Sequence, residues 1–204
     1  MSKNDIEISE QMLKYEFAKE TLMTEINILM KENEFYNNYN PVEHIKSRIK
    51  SKESAINKLK KKGYEITAEN ITLHVHDMVG VRIVCSFISD VYDIVKIIKN
   101  SKLFKIQNEK DYVKNPKDTG YRSYHINVLV PIHLNNKVEH IESEIQIRTV
   151  AMDFFATLDH KMRYKFENDI PESIKKQMVD ISSNVKNMDE NMLRLNEIIN
   201  NYYK

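Results

Sequence analysis

Lys110-Asp111-Tyr112-Val113-Lys114-Asn115-Pro116-Lys117-Asp118-Thr119-Gly120-Tyr121-Arg122-Ser123-Tyr124-His125 runs straight into an apolar strand, Ile126 to Val130. The segment crowds lysine, arginine, tyrosine and histidine around a turn glycine. Cations beside aromatic faces suit a ligand carrying both phosphates and a flat base, which describes a nucleotide. About twenty residues on lies a second cluster, Glu144-Ile145-Gln146-Ile147-Arg148-Thr149. Its alternation places Glu144, Gln146 and Arg148 on one face of a strand that leads directly into a helix. Two strands are predicted here, Ser123 to Ile132 and Lys137 to Ile147, joined by a polar turn at Leu134-Asn135-Asn136.

Working outward, Tyr15, Ala18, Leu22, Ile26 and Leu29 step by three and four, so an amphipathic helix is expected over residues 5–33. Asn40 as N-cap, Pro41 at the first position and Glu43 three on predict a second helix, running to Lys62 and stopping at Gly63. A short helical piece covers Thr67 to Met78. Val81 to Phe87 reads as a buried strand, Val91 to Asn100 as a helix, Leu103 to Gln107 as a strand and Val150 to Lys165 as a helix. Pro171 opens a last helix in which Ile174, Met178, Ile181, Val185, Met188, Met192, Leu195, Ile199 and Tyr202 form a heptad seam. Such a seam packs either on the N-terminal helix of its own chain or on another copy. The pattern is a mixed α/β domain with a central sheet and helical extensions. The expected divisions are an N-terminal helix at 1–39, a central domain at 40–168 and the heptad helix at 169–204.

The 204 residues carry 31 Lys and Arg against 30 Asp and Glu, a net charge of +1 that singles out no polyanionic partner. Locally the balance differs: Glu43 to Lys62 holds eight Lys or Arg and two Glu. The single cysteine, Cys85, lies in an apolar run and reads as a buried hydrophobe, with no internal disulfide open to it. The first ten residues are polar and acidic, unlike a secretion signal. No stretch approaches the roughly 20 apolar residues that cross a bilayer, so a cytoplasmic protein without a membrane partner is expected.

Three groups of side chains are candidates for chemistry. On the expected second helix, Lys50, Ser54 and Lys58 share a stripe suited to a triphosphate, with Arg48 about 80° away from Lys58. Asp77, just ahead of a central strand, has the position of a carboxylate that holds Mg²⁺ against phosphate oxygens. Glu144 is the second carboxylate, able to bind metal or take a proton from an attacking hydroxyl. A lone glutamate on such a strand usually faces solvent, and Asp77 alone reads as a turn cap. Tyr121 and Tyr124 alone read as strand aromatics.

Four segments in order, Arg48-x-Lys50-x3-Ser54-x3-Lys58, Asp77-x-x-Gly80-x-Arg82, the Gly120-Tyr121-Arg122 run and Glu144-x-Gln146-x-Arg148-Thr149, resemble the synthetase domain of the RelA/SpoT family. The likeness is closest to its stand-alone small alarmone synthetases, of the RelQ kind, and covers residues 40–165. It implies a nucleotidyltransferase-like fold and transfer of pyrophosphate from ATP to the 3′-hydroxyl of GTP, GDP or GMP. By resemblance, Arg48, Lys50, Ser54, Lys58 and Arg82 bind ATP, and Asp77 and Glu144 hold Mg²⁺. Glu144, Asp77 and His125 serve catalysis. Lys110, Lys117, Tyr121, Arg122, Gln146, Arg148 and Asp153 bind the acceptor, with guanine stacked on Tyr121. The chain departs from the family pattern at Asp153, where asparagine is usual, at Phe155, where tryptophan is, and at Asp159, where glutamate is common.

The resemblance further implies a homotetramer built through terminal helices, with single-stranded RNA or an alarmone as further ligands and no DNA partner. His76-Asp77 also looks like the dyad of metal phosphohydrolases. That reading needs more His and Asp ligands in an all-helical domain, and His44, His74 and His125 supply no such pattern. Two other readings stand beside the synthetase: a toxic relative modifying tRNA or adenine nucleotides, and a nucleotide- or RNA-binding regulator without turnover. Near-neutral charge weighs against the first, and intact Asp77 and Glu144 against the second.

Overall fold

The computed structural model describes residues 3–163 and 171–202. Its elements are α1 (Lys3–Asn37), β1 (Val42–Ile49), α2 (Lys52–Lys62), α3 (Ala68–His74), β2 (Val79–Cys85), α4 (Ile88–Asn100), β3 (Lys105–Asp111), β4 (Tyr124–Leu134), β5 (Lys137–Thr149), α5 (Val150–Arg163) and α6 (Glu172–Tyr202). The five strands form one mixed sheet in the order β1-β2-β5-β4-β3, with β2 and β5 parallel and the other neighbours antiparallel. The expected hairpin is present: β4 and β5 pair from Tyr124↔Ile147 to Leu134↔Lys137. The expected division at 168/169, and the end of the helix predicted to reach Lys165, lie outside the described residues.

Strand alternation sorts the sheet into two chemically different faces. Val79, Val81, Ile83, Ile126, Val128, Val130, Ile145 and Ile147 all point into one core and are essentially solvent-free. Onto this face packs α1, through Ile8, Tyr15, Ala18, Leu22, Ile26 and Met30. The N-terminal helix is therefore a structural layer of the domain. Leu22 and Ile26 have no exposed surface, and truncating either to alanine costs about 2–5 kcal/mol. The opposite face carries the polar residues that alternate with them.

One sequence expectation is corrected. No helix begins at Asn40; Val42–Ile49 is the edge strand β1, antiparallel to β2. Asn40 Oδ1 accepts from Val42 N at 2.9 Å, a turn rather than a helix cap. A register shift between Val42 and His44 breaks the strict alternation. It leaves Val42, Ile45 and Ile49 spaced three and four apart, which imitates a helical face. The helix starts later, at Lys52, capped by Ser51, whose side chain accepts from Ser54 N, and it ends as expected at Gly63, with φ 75°.

The heptad helix α6 exists, but its buried face shares only Met178 and Val185 with the predicted seam. Met178, Ser182, Val185 and Asp189 are its buried residues, packed against α5 and α4. Ile181, Met188, Met192, Leu195, Ile199 and Tyr202 are exposed. Among the described residues no helix is long and apolar enough to cross a membrane.

Candidate active site

The polar face of the sheet presents its residues in rows, because paired residues on neighbouring strands point the same way. One row reads Lys46, Arg82, Gln146, His125 and Lys110 across all five strands. The next reads Arg48, Gly80, Glu144, Asn127 and Asn108. Arg48 thus arrives from a strand rather than from the lysine helix, and this dissolves its angular mismatch with Lys58.

Three adjoining cavities open on this face. The first, of about 240 Å³, is lined among others by Arg48, Asp77, Arg82, Glu144 and Gln146. The second, of about 360 Å³, has Lys110, Tyr112, Lys117, His125 and Glu144 in its wall. The third, of about 420 Å³, is bordered by Arg48, Arg82, Tyr121, His125, Gln146 and Arg148. Glu144 is common to the first and second, His125 to the second and third, Gln146 to the first and third. The three spaces form one continuous site with the Glu144 carboxylate where two of them meet.

At the first cavity, Lys50 Nζ lies 2.6 Å from Asp77 Oδ2 and Lys58 Nζ 2.9 Å from Asp77 Oδ1. Burial pushes the Asp77 carboxyl up, but hydrogen bonds and charge from the two lysines outweigh it and bring it down to about 2. Ser54 sits on the exposed side of α2, its Oγ 2.9 Å from Ser51 Oγ. Arg82 pairs with Asp153 at 3.1 Å. Burial first, then Arg148 and Arg48, lower the Arg82 pKa against the pull of Asp153.

A hydrogen-bonded chain links the other two cavities. Arg148 Nη2 donates to Tyr121 Oη at 2.6 Å and to Gln146 Oε1 at 2.7 Å. Tyr121 Oη lies 2.8 Å from His125 Nε2, and His125 Nδ1 lies 2.9 Å from Glu144 Oε1. Gln146 Nε2 donates to Glu144 Oε2 at 2.6 Å and closes the ring. Both nitrogens are satisfied when Tyr121 donates to Nε2 and Nδ1–H donates to Glu144. Burial raises the Glu144 pKa and Asp77 adds to it, but bonds from His125 and Gln146 prevail and hold it below the ordinary carboxylate range. Lys117 Nζ sits 4.9 Å from the Tyr121 ring centre and 4.8 Å from that of Tyr112, a cation over two aromatic faces.

Two expected acceptor residues stand elsewhere than anticipated. Arg122 lines none of these three cavities; it is buried, donating from Nη2 to the Val113 carbonyl. Asp153 accepts from both Arg82 and Arg148 at 3.1 Å. Its charge is thereby matched by two guanidinium groups and does not stand free toward a ligand. Cys85 is fully buried, as expected, and burial pushes its thiol up.

Sequence reasoning passed over Lys46 and Ser47 in the first cavity and Asn108, Asn127 and Glu142 in the second, and weighed His76 only as half of a metal dyad. Lys46 is in phase with Arg48 and Glu142 with Glu144, so strand phase was the signal that would have found them. His76 Nδ1 is 2.8 Å from Glu142 Oε2, and both side chains line the second cavity. Among the described residues no group of three or more His, Cys, Asp or Glu is arranged to hold a metal ion. Two carboxylates, Asp77 and Glu144, do line one cavity. Hard oxygen donors in that small number fit Mg²⁺, which completes its shell with water and substrate phosphates.

A sheet face that joins cations, aromatic rings and two carboxylates suits ligands carrying phosphates and a flat base. The chain belongs to the RelA/SpoT family: residues 47–169 match the model described as a region found in RelA / SpoT proteins. It is 45% identical over 183 residues to the GTP pyrophosphokinase YwaC of Bacillus subtilis, covering 90% of this chain and 87% of that protein. Its fold is similar to the small alarmone synthetase 2 of the same organism, with a TM-score of 0.83 and 43% identity over 93% of this chain and 97% of that one. The small alarmone synthetase 1 of that species, solved with its product pppGpp, matches with a TM-score of 0.83 at 30% identity, over 94% and 97% of the two chains.

Proposed function

We propose that this protein is a GTP pyrophosphokinase that moves the β,γ-pyrophosphate of ATP to the 3′-hydroxyl of a guanine nucleotide, making (p)ppGpp-type alarmones and releasing AMP. The observation that carries the reading is Glu144 in the wall shared by the first and second cavities, a carboxylate between two nucleotide-sized spaces. ATP occupies the first cavity, with Arg48 and Arg82 about the adenine. Lys50 and Lys58 turn from Asp77 to the phosphates, with Ser54 at the edge, and this frees the Asp77 oxygens. Asp77 and Glu144 are the residues that would hold Mg²⁺, whose chemistry is to neutralise phosphate charge.

The guanine nucleotide stacks on Tyr121, and Lys110 and Lys117 hold its phosphates. Its 3′-hydroxyl approaches Glu144, which takes the proton while His125 fixes the carboxylate. The 3′-oxygen bonds to the β-phosphorus as the bond from the β-phosphorus to the α,β-bridging oxygen breaks, and AMP leaves with that oxygen. Rate enhancement comes mainly from alignment and from cations meeting the spread phosphate charge. The exposed α6 seam fits assembly with further copies, a homotetramer in this reading, and the protein acts in the cytoplasm.

The test is a transfer assay with γ-³²P-labelled ATP, Mg²⁺ and GTP, GDP, GMP, ATP or tRNA as acceptor. Label on a guanine nucleotide with matching AMP supports the reading. Label on tRNA alone, or on none, overturns it.

A further inference from the structure

The helix α6 lines none of the three cavities of the site, yet it touches the backbone that presents two of their residues. Residues Lys117 to Tyr121 form a closed turn: Gly120 N donates to Lys117 O at 2.7 Å and Lys117 N to Tyr121 O at 3.1 Å. At its apex Gly120 has φ 81°, a conformation that needs glycine. The free Gly120 carbonyl is taken by α6, since Ser182 Oγ donates to it in a buried contact. The approach is so close that a Cβ on Gly120 would run into the Ser182 side chain. The last residue of this turn is Tyr121, whose hydroxyl joins Arg148 to His125.

Seven residues further along the same face of α6, Asp189 Oδ2 accepts from Thr149 Oγ1 at 2.8 Å. Thr149 follows Arg148 at the end of the catalytic strand, and the same hydroxyl accepts from Met152 N to start α5. One helix face thus grips the acceptor turn and the strand end that Arg148 leaves. Among the described residues the donor-side Arg48, Lys50, Ser54, Lys58 and Asp77 show no such tie to α6, and Arg82 is linked only indirectly, through Asp153 to Arg148.

We infer that Ser182 is a positioning residue for the acceptor half of the site: it fixes the Gly120 turn so that Tyr121 meets the guanine base. The inference rests on the function proposed above. It predicts an unequal response of the two substrates, because α6 bonds the acceptor turn directly and reaches the donor residue Arg82 only through Arg148 and Asp153.

The test uses the full chain with Ser182→Ala, and Ser183→Ala as the control, since that exposed hydroxyl bonds only within its helix, to Val179 O. Steady-state KM values for GDP and ATP are measured with the thermal midpoint of each variant, and GDP binding is followed by calorimetry. Ser182→Ala should raise the KM and Kd for GDP about five- to tenfold, the worth of one buried hydrogen bond. The KM for ATP should stay within twofold, and Ser183→Ala should match wild type. An unchanged GDP affinity overturns the inference, as does a parallel rise in both KM values. Were the wild type to transfer nothing, the proposed function would fall, while the calorimetric comparison would still decide whether Ser182 governs guanine binding.

Discussion

His125 Nδ1 lies 2.9 Å from Glu144 Oε1, joining side chains on two antiparallel strands that are diagonal to one another in the register. The contact keeps Glu144 ionised although it is largely removed from water. Its carboxyl sits below the ordinary 4.5 because the bonds from His125 and Gln146 outweigh burial. Replacing it by an amide keeps the shape but turns one of its two accepting atoms into a donor, and it removes the proton acceptor and the metal-holding charge. Glu144→Gln should lower kcat by about a thousandfold or more while calorimetric binding of GDP persists. Wild-type turnover in this variant would remove Glu144 from the mechanism.

The Asp77 carboxyl, ordinarily near 3.8, is brought to about 2 by Lys50 and Lys58. A depressed acid contributes stability above its unfolded value and loses it as pH falls through the folded one. The contribution is therefore complete above about pH 4 and disappears as pH drops toward 2. In an NMR titration the Asp77 side-chain carboxyl resonance should move with a midpoint near 2. Asp77→Asn should flatten the stability profile in that window. A midpoint at or above 3.8 would show that the two ion pairs do not hold in solution.

Most of the site was legible because chemistry on strands obeys a two-residue period. Glu144, Gln146 and Arg148 alternate in sequence and share one face in the structure, and the β4–β5 hairpin followed from its turn. The error at Asn40 has an equally physical cause. A cap-like Asn-Pro-x-Glu argued for helix, while long-range pairing with β2, from Ile49↔Val79 to Val42↔Cys85, decided for strand. The buried face of α6 was hidden for the reverse reason. Ser182 and Asp189 are polar, so a reading by apolar spacing assigned them to solvent, and only their partners at Gly120 and Thr149 reveal why they are buried.

Arg122 is a motif residue that stands outside the three cavities. It is buried with Nη2 on the Val113 carbonyl, and its charge lies near that of Asp189, whose own carboxyl is raised first by burial and lowered in part by Arg122. Arg122→Ala leaves that carbonyl without its partner, opens a void and removes the offsetting charge. It should destabilise the fold by about 2–4 kcal/mol, read as a lower midpoint in urea with an unchanged slope. A variant as stable as wild type would return Arg122 to the list of ligand-binding residues.

The apolar residues on the outer side of α6 have no partner in the described chain, and their spacing is that of a helix seam. Ile181, Met188, Met192, Leu195 and Ile199 are each close to half exposed, an apolar line about five turns long on a helix whose other face is already occupied by α4 and α5. Water-facing rows of this kind are uncommon on monomers and are stabilised by a second apolar row. Met188→Glu with Leu195→Glu places two charges on the line without touching the Ser182 and Asp189 face. Light scattering after size exclusion should give the wild type a mass near four times the 24.2 kDa chain, and the double variant a smaller species with an unchanged circular dichroism spectrum. A wild type that elutes at the single-chain mass would refute the assembly outright.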